Sequence, residues 1–229
     1  LYLDTFFKKR YQNYQKHISK PDLSRRSCSR LSPYLAYGNI SMRQIIQRKE
    51  LERKNGNNSL ALKSFSSRLR WQSHFIQKFE MECSMEFNSI NKGYLTLKKP
   101  INKKYIKAWE SGNTGVPIVD AAMRCLVQTG YLNFRMRSMI VSFFTHHLWQ
   151  PWQEASHFLA RNFLDFEPGI HYSQLQMQAG ETGVNTIRIY NPSKNAIGST
   201  PTSYDVTTTT AIIAPPRRLF LGFTVHLQY

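Results

Sequence analysis

Apolar residues recur along most of this chain at intervals of three and four, the spacing of amphipathic helices. Residues 1–20 are basic and aromatic and read as a helix followed by a loop. Ser32-Pro33 reads as a helix start, a cap followed by proline at the first helical position. Ser41 is the next cap and leads Met42 to Lys54, where Ile45 and Ile46 are flanked by Arg43, Arg48, Lys49, Arg53 and Lys54. After a loop at residues 55–58, Ser59 caps a long helix to about Glu82 with Phe65, Leu69, Ile76 and Phe79 along one face. Residues 88–108 are irregular and lysine-rich. Gly112 to Gly115 form a turn, and Pro117 opens a helix with the stripe Val119, Ala122, Met123, Leu126 and Val127, ended by Gly130. Leu132 to Trp149 is a second strong helix, carrying Met136, Met139, Ile140, Phe143 and Phe144. Pro151 interrupts it, and Trp152 to Leu164 follows with Ala155, Phe158, Leu159 and Phe163. No alternating strand pattern occurs before residue 200, and no internal repeat. The predicted class is all-α, an orthogonal multi-helix assembly over residues 1–198. Residues 199–229 differ in kind: the run Thr207 to Thr210 is followed by β-branched, aromatic and Pro-rich text. That stretch reads as a tail foreign to the domain, loosely packed or disordered, with a strand pair as the alternative.

Composition narrows the function classes. With 229 residues, 41% of them hydrophobic, the chain can bury a core as one large or two small domains. No apolar run approaches the ~20 residues needed to span a bilayer, so no membrane partner is expected. No basic-then-apolar leader opens the chain, and its start at Leu1 suggests that the natural N-terminus lies upstream. The formal net charge is +17, and it is uneven: residues 1–110 hold 23 basic and 8 acidic residues, the remainder 8 and 6. Such asymmetry favours a polyanionic partner, DNA first, although a solvated basic surface gives the same count. Cys28, Cys83 and Cys125 are scattered and odd in number, which suits a reducing compartment, the cytoplasm. The adjacent His146 and His147 project in different directions from a helix, and no metal site is expected.

Four segments, in order and spacing, resemble the flavin-binding domain of the photolyase/cryptochrome family. They are CSRLSPYLAYGNIS from Cys28 to Ser41, WESGNTGVPIVDAAMRCLVQTG from Trp109 to Gly130, YLNFRMRSMIVSFFTHHL from Tyr131 to Leu148, and RIYNP from Arg188 to Pro192. The pattern WxxGxTGxPxVDAxMRxLxxTG is specific by itself. The resemblance spans about residues 10–195 and implies a truncated member of a divergent, bacterial-type branch. The family's N-terminal α/β antenna domain has no counterpart here. The implied cofactor is FAD, folded into a U between helices.

The resemblance also implies roles for particular residues. Cys28, Ser29, Arg30, Leu31 and Ser32 would cradle the diphosphate at a helix start, where simple capping by the serines is the plain alternative. Cys28 stands where the family usually has a hydroxyl, and a thiol donates poorly. Tyr14 resembles an upstream tyrosine at the cofactor. Arg137 and Asp165 match a pair beside the flavin ring, and Glu167 keeps an acid nearby. Asp120 and Arg124, four apart on one helix, fit a structural role. Trp71 matches a tryptophan that stacks on a flipped lesion.

Departures from the family pattern bear on chemistry. Arg68 occupies the position of a glutamate that helps protonate the lesion, and a guanidinium is no general acid near neutral pH. Phe134 falls where an asparagine would face the flavin, with Asn133 one residue and ~100° away. Leu175 and Met177 fall where repair enzymes carry tryptophans, one for electron transfer and one for lesion stacking. Trp152 still matches the middle tryptophan of an electron chain, with core packing the equal alternative; routes through Tyr172 or Trp149 stay open. Gln174, Gln176 and Gln178 alternate in this variant phrase, and Gly169, Gly180 and Gly183 mark turns. The expected function is an FAD-binding, DNA-contacting flavoprotein with light-driven electron transfer. Whether it is a deoxyribodipyrimidine photolyase-like lyase, a non-repair photosensory module or a truncated product unable to hold FAD stays open at this point.

Overall fold

The computed structural model describes residues 2–56, 59–183, 187 and 189–192; the tail from residue 199 and Arg188 lie outside these. Among the described residues there is no β-strand. The N-terminal stretch is a run of short helical turns, Tyr2–Thr5, Phe6–Arg10, Tyr11–Asn13 and Tyr14–His17. Nine α-helices follow among the described residues: α1 (Pro21–Ser27), α2 (Ser32–Ala36), α3 (Met42–Lys54), α4 (Leu60–Met81), α5 (Lys103–Glu110), α6 (Pro117–Thr129), α7 (Phe134–Ser142), α8 (Trp152–Asn162) and α9 (Pro168–Ala179).

Local chemistry accounts for most of the ends. Ser41 and Gln44 form a reciprocal capping box on α3. Ser59 accepts from the Leu62 amide at 3.3 Å to start α4. Gly130 ends α6 in the left-handed conformation at φ 65°. At Ser32 the sequence reading fails: Ser32 is the first helical residue of α2, Leu31 precedes it, and the turn has no side-chain cap. Asn133, not Leu132, sets the start of α7, its Oδ1 accepting from the Met136 amide at 2.9 Å. The predicted extension of α7 to Trp149 exists only as a widened π turn, Phe143–His147. Helix α5 sits in the region expected to be irregular, nucleated by Asn102 Oδ1 on the Lys104 and Tyr105 amides. Helix α1 likewise replaces an expected loop.

The core has two parts. A small aromatic cluster joins Phe6, Phe7, Leu31, Ile45, Leu62, Phe65 and Leu69, with Tyr14 packed against it. A larger one gathers α5 to α9 around Trp109, Met123, Leu126, Met136, Met139, Phe143, Phe144 and Trp152. Val127, assigned to the apolar stripe, is exposed. Helix α4 serves both parts: its first half enters the small cluster, and its second half packs along α9. That contact depends on Gly169, where an added Cβ would lie 2.8 Å from Ile76 Cα and 2.9 Å from the Phe75 carbonyl oxygen. Asp120 is buried and accepts from the Thr114 amide (2.7 Å), the Thr114 hydroxyl (2.6 Å) and the Gly115 amide (3.0 Å), while Arg124 donates to the Gly112 carbonyl at 2.7 Å. Both therefore fix the 112–115 turn, the structural role expected of them.

Candidate functional site

A cavity of about 270 Å³ opens between α7, α9 and the loop joining α8 to α9. Its wall includes Ser32, Tyr131, Phe134, Arg137, Ser138, Phe163, Asp165, Glu167, His171, Gln174, Leu175 and Gln178. The wall is organised by one ion pair. Arg137 Nη2 donates to both oxygens of Asp165 at 2.9 Å. The guanidinium is fixed from two further sides: Nε donates to the Leu132 carbonyl at 2.8 Å, and the Phe163 ring lies 4.1 Å from its carbon. Residues 28 apart in sequence thus meet because α7 begins immediately after the α6 C-cap. The Leu164 amide returns to that same cap, donating to the Gly130 carbonyl at 3.0 Å.

Glu167 also lines the cavity, but its carboxylate caps α9, accepting from the Gly169 and Ile170 amides at 3.3 and 3.0 Å. His171 is buried, and burial lowers its imidazole pKa to about 4, so it is neutral at physiological pH. Burial pushes Tyr131 up, and its hydroxyl points at Cys28 Sγ 3.7 Å away. Burial likewise pushes Tyr14 up to about 12, against the opposing charge of Arg68. Tyr131, a wall residue, thus reaches Cys28, and Tyr14 lies within electrostatic range of both Cys28 and Arg68.

The expected residues divide into several groups. Ser32, Phe134, Arg137, Asp165, Glu167 and Leu175 are brought together on the cavity. Leu31 is core, in the aromatic cluster. Ser29 and Cys28 are held by Arg10, which donates to the Cys28 carbonyl at 2.5 Å and reaches the Ser29 carbonyl at 3.5 Å. Arg30 is exposed, with a left-handed φ of 59°. Asn133 cannot substitute for Phe134: its Oδ1 caps α7 and its Nδ2 donates to Ser24 Oγ at 2.9 Å. Trp71 is about half exposed on α4, stacked on Phe75 with ring centroids 5.6 Å apart. Met177 is not brought to it: α9 runs along α4 from Gly169 at Phe75 and Ile76, through Tyr172 on Phe79, to Gln176 at Met85 and Asn88. That register carries Met177 away from Trp71. Trp152 is fully buried, its Nε1 donating to Glu181 Oε2 at 3.1 Å. Glu181 is in turn 3.6 Å from the buried Lys99 ammonium and accepts from Ser89. Tyr131, Ser138, His171 and Gln174 were not singled out as cavity residues from the sequence. Only Gln174 stood in a noted pattern, the alternation with Gln176 and Gln178, and that pattern pointed to no cavity.

Fold and cavity together define a helical domain with a cavity between α7 and α9. The model of the FAD binding domain of DNA photolyase matches residues 65–202. The chain belongs to that family. The deoxyribodipyrimidine photo-lyase of Alkalihalophilus pseudofirmus is 30% identical over 83% of this chain and 39% of its own length. The crystal structure of a class III photolyase from Agrobacterium tumefaciens matches at a TM-score of 0.79 and 26% identity, over 85% of this chain and 40% of that one. The Sulfolobus tokodaii photolyase, whose structure holds two FAD molecules, matches at 0.72 and 26%, over 84% and 42%. The chain thus spans about two fifths of the length of these relatives.

The cavity wall fits a flavin on its own chemistry. Ser138 Oγ and Gln174 Oε1 are buried on it without a hydrogen-bond partner. Buried polar atoms are almost always paired, so two orphans on lining residues are groups that a polar ligand would satisfy. Among the described residues, no group of three His, Cys, Asp or Glu side chains could hold a metal, and no helix is long and apolar enough to cross a membrane.

Proposed function

We propose that this chain is the cofactor-holding part of a photolyase/cryptochrome-type flavoprotein and that FAD lies with its ring in the α7–α9 cavity. The observation that carries this reading is the coincidence, on one wall, of the Arg137–Asp165 pair with the unsatisfied Ser138 and Gln174 atoms. A volume of about 270 Å³ suits the ring end of the cofactor. Ser32, on the rim of the cavity, would lie toward the diphosphate in this reading. Bound FAD would supply light-driven electron transfer. The chain's own residues would position the ring (Arg137, Asp165, Ser138, Gln174), exclude water from it (Phe163, Leu175) and leave Phe134, about half exposed, at the mouth.

DNA is the partner we assign, on the charge of the first 110 residues and the exposed Trp71 platform. We place the protein in the cytoplasm, where three free thiols persist. Between repair and light sensing, Arg68 favours sensing, since it supplies no proton to a lesion. Titrating the chain with FAD while following flavin fluorescence tests the binding. Saturable quenching that Ser138→Ala and Gln174→Met both weaken is expected. Quenching indifferent to both variants would move the flavin elsewhere.

A further inference from the structure

A second, open cleft of about 560 Å³ lies between the start of α5 and the segment that follows the π turn. It shares no wall residue with the α7–α9 cavity. Its volume falls within the roughly 300–1,000 Å³ of small-molecule sites. Two exposed lysines, Lys103 and Lys104, and two aromatic residues, Tyr105 and Trp149, stand on its wall, and among the described residues no acidic side chain does. Trp149 is the unusual member. Its backbone is left-handed at φ 55°, and among the described residues Arg30 is the only other non-glycine with a positive φ. That conformation is strained for a bulky side chain, and glycine would hold the turn more easily. The neighbours impose it. Leu148 and Gln150 are buried, and the Gln150 side chain clamps the turn: Nε2 donates to the Leu148 carbonyl and Oε1 accepts from the Asn102 amide, both at 2.8 Å. The indole between them is only partly buried, lines the cleft and belongs to neither core cluster. Lys99, buried and no part of the wall, sets its ammonium 4.9 Å from the ring centroid and so steadies the ring. Packing of the core does not account for a tryptophan held in this way, whereas a ligand would meet a fixed aromatic platform beside two cations.

We propose that this cleft is a nucleotide site, taking a base against Trp149 and its phosphate on Lys103 and Lys104. An aromatic ring stacks on any base, and ammonium groups hold a phosphate without reading sequence. No carboxylate on the wall repels the anion. The same chemistry serves a free nucleotide and an unpaired nucleotide of a DNA strand. The site does not depend on FAD in the α7–α9 cavity. Where the nucleotide belongs to a strand, it gives the DNA assigned above a second place of contact, separate from Trp71.

Titration of the whole, ¹⁵N-labelled chain with dGMP, a nucleotide that is no part of FAD, provides the test. The indole N–H signal of Trp149, identified by its loss in Trp149→Gly, should move saturably. Deoxyguanosine, which lacks the phosphate, should bind about tenfold more weakly, and so should dGMP to the variant carrying both Lys103→Gln and Lys104→Gln, positions exposed enough to leave the fold alone. Trp149→Gly relieves the left-handed backbone and should stay folded by circular dichroism, with dGMP affinity by calorimetry down about tenfold. If Trp149→Gly does not fold, the lysine variant decides. A short single strand of deoxyguanylate that binds more tightly than dGMP supports the site with DNA as the source of its nucleotide; one that binds no more tightly supports it with a free nucleotide. A Trp149 signal that stays still overturns the proposal, as does inorganic phosphate moving it as readily as dGMP, or unchanged dGMP affinity in either folded variant. A strand that binds in a salt-dependent way without moving Trp149 leaves the DNA assignment standing and overturns this site alone.

Discussion

Replacing Asp165 by Asn keeps the shape of the cavity wall and deletes the charge that Arg137 faces. The arginine does not leave, because the Leu132 carbonyl at 2.8 Å and the Phe163 ring at 4.1 Å still hold it. It is therefore stranded. The Asp165 side chain is 7% exposed and that of Arg137 26%, so the pair is largely but not wholly desolvated. Breaking a buried pair by removing one partner typically costs about 3–5 kcal/mol. Partial exposure of the guanidinium and the acceptor kept by Asn reduce this to about 2 kcal/mol. For a domain of this size, that lowers the melting temperature by roughly 4–8 °C. Circular dichroism melts of the wild type, Asp165→Asn, Arg137→Met and the double variant give the assay. If the cost comes from the stranded charge, the double variant melts no lower than Asp165→Asn alone. Full additivity of the two losses, or a melt of Asp165→Asn within a degree of wild type, would show that no charge is stranded.

Four further outcomes follow from the geometry. Burial lowers His146 and His171 to about 4, so the unfolded chain protonates first as pH falls; this contribution is intact above about 6.5 and lost between there and 4. Urea midpoints should drop by the equivalent of roughly 2 kcal/mol per histidine between pH 7 and 5, and a flat profile would contradict the assignment. Gly169→Ala should destabilise by about 1–3 kcal/mol, since its Cβ meets backbone of α4; an unchanged midpoint would mean that the α4–α9 contact is looser than described. Arg48 and Arg53 are already paired with Glu52 and Glu50, whereas Lys103, Lys104 and Lys107 are exposed. Neutralising the three lysines should therefore flatten the salt dependence of DNA binding by about 2–3 in log–log slope, and an unchanged slope would place the contacts elsewhere, near Arg68 and Arg70. Chemically reduced, FAD-loaded protein under blue light should cleave few cyclobutane dimers, because a missing proton donor typically costs ~10²–10⁴-fold; repair at ordinary photolyase rates would show that Arg68 is not the hindrance, and a gain in Arg68→Glu would show that it is.

What the sequence made legible was whatever one helix could state alone. Ser41, Ser59, Pro117 and Gly130 each act on the backbone within a turn of themselves, so their signals survive in one dimension. The stripe of Met136, Met139, Ile140, Phe143 and Phe144 is equally local, and all five are buried. Helix α9 was not legible, and its burial explains why. It is enclosed on several sides and carries its polar groups inward: Gln176 donates to the Met85 and Asn88 carbonyls and accepts from the Ile90 amide. No apolar stripe remains to be seen, and Gly169, read as a turn, is a contact between helices. The cavity was legible only through resemblance. Arg137 and Asp165 were paired by it, whereas His171, Ser138 and Gln174 gain meaning only once α7 and α9 face each other. Arg10, which holds the Cys28 and Ser29 carbonyls from 18 and 19 residues away, shows the same limit.

The absorption spectrum of the purified chain decides whether FAD occupies the α7–α9 cavity. A yellow protein is expected, with flavin bands that are retained through gel filtration, released on denaturation as free FAD, and diminished in Asp165→Asn. A folded, colourless chain that neither retains added FAD nor quenches its fluorescence would contradict it.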